Sequence, residues 1–119
     1  IESDHYITVV GKQILRKVPL TDEAFKALLD EMSKHQSDYY RAEFLKTAAD
    51  RAGVTKANLQ AILQAAAEIE SDHYITEVLT TLAPTLRNLN DSSLKDAYRV
   101  TAKKIRSETY YGRALRAID

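Results

Sequence analysis

Apolar residues recur along this chain at helical spacing, in two alternating sets. Counted from Ser3, Ser37, Ser71 and Ser107, the third, seventh and eleventh positions read Tyr6, Val10, Ile14; Tyr40, Phe44, Ala48; Tyr74, Val78, Leu82; and Tyr110, Ala114, Ile118. The eighth and twelfth positions add Leu45 and Ala49, Leu79 and Ala83, and Leu115. Such spacing puts one apolar stripe on each of four A helices. Each serine is followed by an acid (Asp4, Asp38, Asp72, Glu108). Serine suits the N-cap, where its side chain accepts from a free backbone N–H, and the acid then faces the positive end of the helix dipole.

A second set, the B helices, is predicted to begin at the caps Thr21, Thr55 and Asn90. Each has an apolar residue before it (Leu20, Val54, Leu89) and another four positions after (Phe25, Leu59, Leu94), the hydrophobic-staple pattern. The B stripes continue through Leu28, Leu29 and Met32, through Ile62, Leu63 and Ala66, and through Ala97, Tyr98 and Ala102. Turns are expected at Val18-Pro19, Ala52-Gly53 and Arg87-Asn88. Pro84 lies where the third A helix should still be running, so that helix is expected to kink there or to end near Ala83.

The two sets belong to one repeat. Ile1 to Thr8 and Ile69 to Thr76 are the same eight letters, Ile-Glu-Ser-Asp-His-Tyr-Ile-Thr, and looser copies run from His35 to Tyr40 and from Ile105 to Tyr110. The serines at 3, 37, 71 and 107 give spacings of 34, 34 and 36 residues, a period of stacked helical hairpins. The expected fold is therefore all-α: a right-handed α-solenoid of three antiparallel hairpins plus a terminal helix, seven helices of HEAT- or tetratricopeptide-like kind. Its units are about 1–36, 37–70 and 71–106 with a half-unit 107–119, together one domain whose hairpins bury their stripes only against neighbours.

Composition narrows the chemistry. The 119 residues contain no cysteine, which removes disulfides, thiolate zinc sites and cysteine nucleophiles. Lysine plus arginine equal aspartate plus glutamate at 17 each, so no overall field favours nucleic acid or an anionic membrane. No apolar run approaches the roughly 20 residues that span a bilayer, so no membrane insertion of this segment is expected. The chain opens on Ile1 in phase with the repeat and stops one helix into a fourth unit, which reads as a fragment or a processed chain.

The sharpest chemical motif is Glu2-x-x-His5 with Glu70-x-x-His73, since two Glu-x-x-His pairs make half of a di-iron carboxylate site. Each glutamate precedes its serine cap, however, and the two histidines stand two units apart, so no metal or other cofactor is expected. The row Asp4, Asp38, Asp72 and Glu108 is read as capping chemistry rather than acid/base catalysis, and no histidine-acid pair makes any of the serines a nucleophile. Tyr6, Tyr40, Tyr74 and Tyr110 are expected to be buried rings with satisfied hydroxyls. The basic C-terminal stretch (Arg99, Lys103, Lys104, Arg106, Arg113, Arg116) is interrupted by Asp96, Glu108 and Asp119 and lacks interleaved aromatics, so it reads as a solvated face and not as a nucleic-acid site.

The phrase Ile-x-Ser-Asp-x-Tyr followed by an apolar residue (Ile1 to Val10, Ile69 to Val78) resembles tandem helical repeats of uncharacterised bacterial proteins. Some of these lie beyond the membrane segments of metallopeptidases of the β-lactam-sensor type. The resemblance covers the whole chain, with His35 in place of isoleucine in the second copy and Glu108 in place of aspartate in the fourth. It implies an interaction or sensory module, with an extracytoplasmic setting as one option. The peptidase's His-Glu-x-x-His signature is absent, so no catalytic residue carries over. The period also matches the tetratricopeptide length, but the Trp, Leu-Gly, Tyr spacing of that family is missing.

The A-helix face away from the stripe is the expected working surface. Positions two, five, six and nine read His5, Thr8, Val9, Lys12; Tyr39, Ala42, Glu43, Lys46; His73, Thr76, Glu77, Thr80; and Thr109, Gly112, Arg113, Arg116. From these the partner-binding residues are taken to be His5, Lys12, Tyr39, Glu43, Lys46, His73, Glu77 and Arg113. The expected function is a non-catalytic scaffold for a protein or peptide along this face. The alternative is a structural segment of a longer array, self-associating through end units at Ile1, Val9, Leu115 and Ile118.

Overall fold

The computed structural model describes residues 2–51 and 54–119. Seven helices follow one another: α1 (Glu2–Lys17), α2 (Asp22–Ser33), α3 (Asp38–Ala49), α4 (Lys56–Ala66), α5 (Asp72–Leu89), α6 (Ser92–Ala102) and α7 (Glu108–Ile118). The odd-numbered helices pack side by side as an A layer and the even-numbered ones as a B layer, giving a two-layer, solenoid-like repeat slab of 34 × 30 × 17 Å. Phe25, Phe44, Leu59, Ile62, Val78, Leu82, Leu94 and Tyr98 fill the space between the layers. The turn at Val18-Pro19 lies where the sequence puts it, whereas Ala52-Gly53 falls outside the described residues.

Capping follows the expected chemistry at most helix starts. Thr21, Ser71 and Ser107 accept from the N–H of Ala24, Tyr74 and Tyr110, and Thr55 closes a capping box with Asn58. Ser37 is an N-cap by backbone geometry, but its side chain makes no capping bond. Ser3 is no cap, because α1 already runs from Glu2. The identical octapeptides therefore start differently: in the second, Ile69 is buried ahead of the helix and Ser71 caps it.

A repeated bond explains why Ser71 stays outside its helix. The acid that follows each of the first three A-layer serines accepts the backbone N–H of the next serine: Asp4 from Ser37 at 3.1 Å, Asp38 from Ser71 at 2.9 Å and Asp72 from Ser107 at 2.9 Å. The B layer uses a similar device, with Asp22 Oδ1 accepting from the Thr55 hydroxyl at 2.7 Å and from Asn58 Nδ2 at 3.0 Å. Orphan donors at helix starts thus become joints between units.

Four expectations are corrected by the structure. Asn90 is not the third B cap: it closes α5 in the left-handed conformation (φ 51°), and Asp91 caps α6 by accepting from Leu94 N. Asparagine tolerates that conformation better than most residues. The third A helix does not end near Ala83, nor does the chain turn at Arg87-Asn88; α5 continues through Pro84 to Leu89. Buried Leu82, Ala83 and Leu86 on its inner face hold it there, while Pro84 itself faces solvent. The first A helix does not bury its stripe: Tyr6 is 69% exposed and Val10 40%, because among the described residues no helix packs on that side. Instead α1 buries Thr8, Gly11 and Leu15.

Gly11 stands where the other units carry Leu45, Leu79 and Leu115. A Cβ there would meet Met32 Cε at 2.6 Å and Phe44 Cε1 at 2.8 Å, so these two side chains occupy the volume leucine takes elsewhere. Farther along, α6 is fastened to both neighbours. Thr101 donates its hydroxyl to Leu63 O at 3.2 Å, and the buried Tyr98 donates its own to Ala114 O at 2.7 Å.

Candidate functional site

At the N-terminal rim of the A layer, position two of one unit meets position three of the next. His5 lies 6.0 Å from Tyr40, Tyr39 5.8 Å from Tyr74 and His73 5.8 Å from Tyr110, ring centre to ring centre. Within units, Tyr39 meets Tyr40 at 5.0 Å and His73 meets Tyr74 at 4.9 Å, both edge to face. Six rings thus form one continuous run across four helices, and the Arg113 guanidinium closes it 5.2 Å from the Tyr110 ring centre. Edge-to-face pairs favour this arrangement through the ring quadrupole, by about 0.5–1.5 kcal/mol each. Tyr40, Tyr74 and Tyr110 are only half-buried, and Tyr6 is exposed, so the expectation of fully buried tyrosines gives way to a partly open aromatic rim.

Toward the C-terminal halves of the A helices the surface becomes charged and concave. An open cleft of about 410 Å³ runs between α1 and α3 as far as Thr81 of α5, lined by Lys12, Leu15, Arg16, Glu43, Lys46, Thr47, Asp50 and Arg51. Lys46 and Glu43 pair at 2.7 Å, and that bond raises the lysine's pKa above its ordinary value. Arg51 lies with its guanidinium 5.5 Å from the Phe25 ring centre, and its buried Nη1 has no hydrogen-bond partner among the described residues. Lys12 and Arg16 form no ion pair among the described residues. Between rim and cleft, His73 Nε2 sits 3.6 Å from Glu77 Oε2.

The residues singled out from the sequence therefore fall into two groups. His5, Tyr39, His73 and Arg113 belong to the aromatic rim, with Glu77 tied to His73; Lys12, Glu43 and Lys46 line the cleft. Position five is a correction, since Thr8, Ala42 and Thr76 are buried between A helices. Their polarity misleads because each threonine hydroxyl bonds the carbonyl four residues back, Thr8 to Asp4 and Thr76 to Asp72, both at 2.7 Å. Thr8 also accepts from Gln36 Nε2 at 2.7 Å. Arg16 and Asp50 were missed, although the series two, six, nine reaches position thirteen one turn later, which is where they stand. Arg51 lies beyond the end of α3 and carries no periodic signal.

Two arginines of the C-terminal basic stretch are engaged with polar partners. Arg99 bonds Asp96 and Asp119, and Arg106 bonds Glu70 O at 3.1 Å and lies near Asp72. Among the described residues no three histidines or carboxylates converge as a metal would require, and no helix is long and apolar enough to cross a membrane. No family model, curated protein or solved structure matches the chain.

Proposed function

We propose that this chain is a non-catalytic helical-repeat scaffold, of the HEAT or tetratricopeptide kind, that holds a protein or peptide segment along its A-helix face. The observation that carries this reading is that successive A helices together wall one open cleft, into which Lys12, Arg16, Glu43, Lys46 and Asp50 bring charged side chains. It lies on the same layer as the aromatic rim, whose tyrosines and histidines offer apolar faces with polar tips. An interaction or sensory role also fits the resemblance of the Ile-x-Ser-Asp-x-Tyr phrase to repeats placed beside sensor-type peptidases.

Capture from lysate and envelope fractions of the source cell tests it, with the chain as bait beside a His5→Ala, Tyr39→Ala, His73→Ala variant of unchanged helicity. A partner retained by the first and lost by the second supports binding on the A face. Equal capture by both excludes the aromatic rim as the site, and equal capture by a further Lys12→Glu, Arg16→Glu variant moves the site off the A face.

A second reading, self-association or continuation of a longer array, is favoured by the uncovered stripe of α1. Tyr6 and Val10 are exposed, whereas Val78, the counterpart of Val10, is fully buried on the preceding unit. Light scattering that finds a strict monomer at high concentration counts against self-association.

A further inference from the structure

We infer that the A-face cleft recognises an acidic peptide segment, seating a carboxylate of the peptide against Lys12, Arg16 and Arg51; this rests on the scaffold reading above. Two cations of the cleft have no carboxylate partner among the described residues. Lys46 is occupied by Glu43 at 2.7 Å, but Lys12 and Arg16 form no ion pair among the described residues. They stand one turn apart on α1, so both heads reach the same side of the helix, and like charges at that spacing slightly destabilise it. The α1 dipole accounts for a cation in the last turn, where Arg16 stands, but its effect does not extend back to Lys12.

Arg51 supplies the directional element. Its guanidinium packs over Phe25, which restricts it, and Nη1 is buried without a hydrogen-bond partner among the described residues. With Nη1 turned inward, the Nε and Nη2 edge is the one left to donate two parallel N–H bonds to a carboxylate. The remaining lining decides between anions. Glu43 and Asp50 stand in the same walls and would repel a continuous phosphate backbone, whereas a peptide offers backbone N–H groups that they can accept. The mixed lining therefore favours a peptide with isolated acidic side chains over a nucleic acid.

A display library of random peptides of about a dozen residues, selected on the whole chain, tests this. Enriched peptides should carry more aspartate and glutamate than the input. Their affinity, read by fluorescence anisotropy, should fall by at least about tenfold in a Lys12→Glu, Arg16→Glu variant of unchanged melting temperature. A Lys103→Glu, Lys104→Glu variant, with the same charge change at the turn that closes α6, should bind as the parent does. Enrichment of neutral or basic peptides that need Tyr39 but ignore Lys12 and Arg16 overturns the acidic assignment and leaves the scaffold reading standing. Failure of any peptide to enrich overturns the acidic-peptide assignment, and the scaffold reading then stands or falls by the capture experiment above. Oligothymidylate that binds more tightly than the peptides and displaces them overturns the assignment in favour of nucleic acid.

Discussion

The carboxylate of Asp38 accepts the backbone N–H of Ser71 at 2.9 Å, across the boundary between two units. Hydrogen bonds to a charged group in a half-buried setting contribute about 1.5–3 kcal/mol, so Asp38→Ala should lower unfolding stability by about 1–2 kcal/mol after solvent relaxation. Asp38→Asn keeps an acceptor and should lose less. Asp30, exposed and paired with Lys26 at 3.5 Å, is the comparison: Asp30→Ala should change stability by under about 0.5 kcal/mol. Urea denaturation of the three variants checks the order.

Two glycines should respond to alanine in opposite directions. At Gly11 the new methyl group meets Met32 and the buried Phe44 ring, and overpacking of about 1–3 kcal/mol exceeds the helix-propensity gain of roughly 1 kcal/mol. Gly11→Ala should therefore destabilise. At Gly112 the nearest atom is Arg116 Nη1 at 3.1 Å, the end of a flexible and exposed side chain. Gly112→Ala should stabilise by roughly 0.5–1 kcal/mol. Thermal melts of both variants would show opposite shifts.

Tyr98 should give the molecule an alkaline limit. Burial pushes its phenol well above the usual tyrosine range, with a smaller opposing effect from Arg87. The unfolded chain ionises this group near pH 10 and the folded chain does not, so its contribution is full below about pH 10 and is lost as pH rises further. Tyr98→Phe should be less stable at pH 7 by about 1 kcal/mol, the hydrogen bond to Ala114 O being gone. Its stability should also fall less between about pH 10 and 12 than the parent's. Ultraviolet titration should find one of the seven tyrosines silent until unfolding.

Asp72 should matter at the acid limit. The Arg106 backbone N–H beside it, then the Ser107 N–H and the Arg106 guanidinium, hold its carboxyl below the ordinary carboxylate range, partly offset by desolvation. A depressed folded-state value stabilises above the unfolded value and is lost as pH falls through the folded one, so the effect lies below about pH 4. Asp72→Asn should flatten the loss of melting temperature between about pH 5 and 3 while lowering the neutral-pH value.

The sequence made the helices legible because caps and staples act locally. Thr21, Thr55, Ser71 and Ser107 announce their helices from a few neighbouring residues. It misplaced the last B cap because Asn90 and Asp91 are both competent, and only the path of α5 past Pro84 decides between them. Periodicity identified the apolar stripe on α1 but could not say that nothing covers Tyr6 and Val10. Thr8 and Thr76 looked like surface residues because a hydroxyl that bonds its own helix is polar only in the alphabet. The aromatic rim was half legible: the row of His5, Tyr39 and His73 could be counted, but their contact with Tyr40, Tyr74 and Tyr110 depends on how far one unit is rotated against the next. The cleft depends on the same rotation, and Arg51 enters it from outside any helix.

The joint between units has an uneven inheritance. Its acceptor is a side chain, Asp4, Asp38 or Asp72, which a single codon change can erase. Its donor is a main-chain amide, which any successor residue except proline would supply. A duplicated hairpin thus arrives already able to attach to the aspartate upstream of it, and its own letters can drift while the attachment persists. Lineages of such a chain could lengthen or shorten by whole hairpins with little adaptation at the seam, provided the upstream acid is kept.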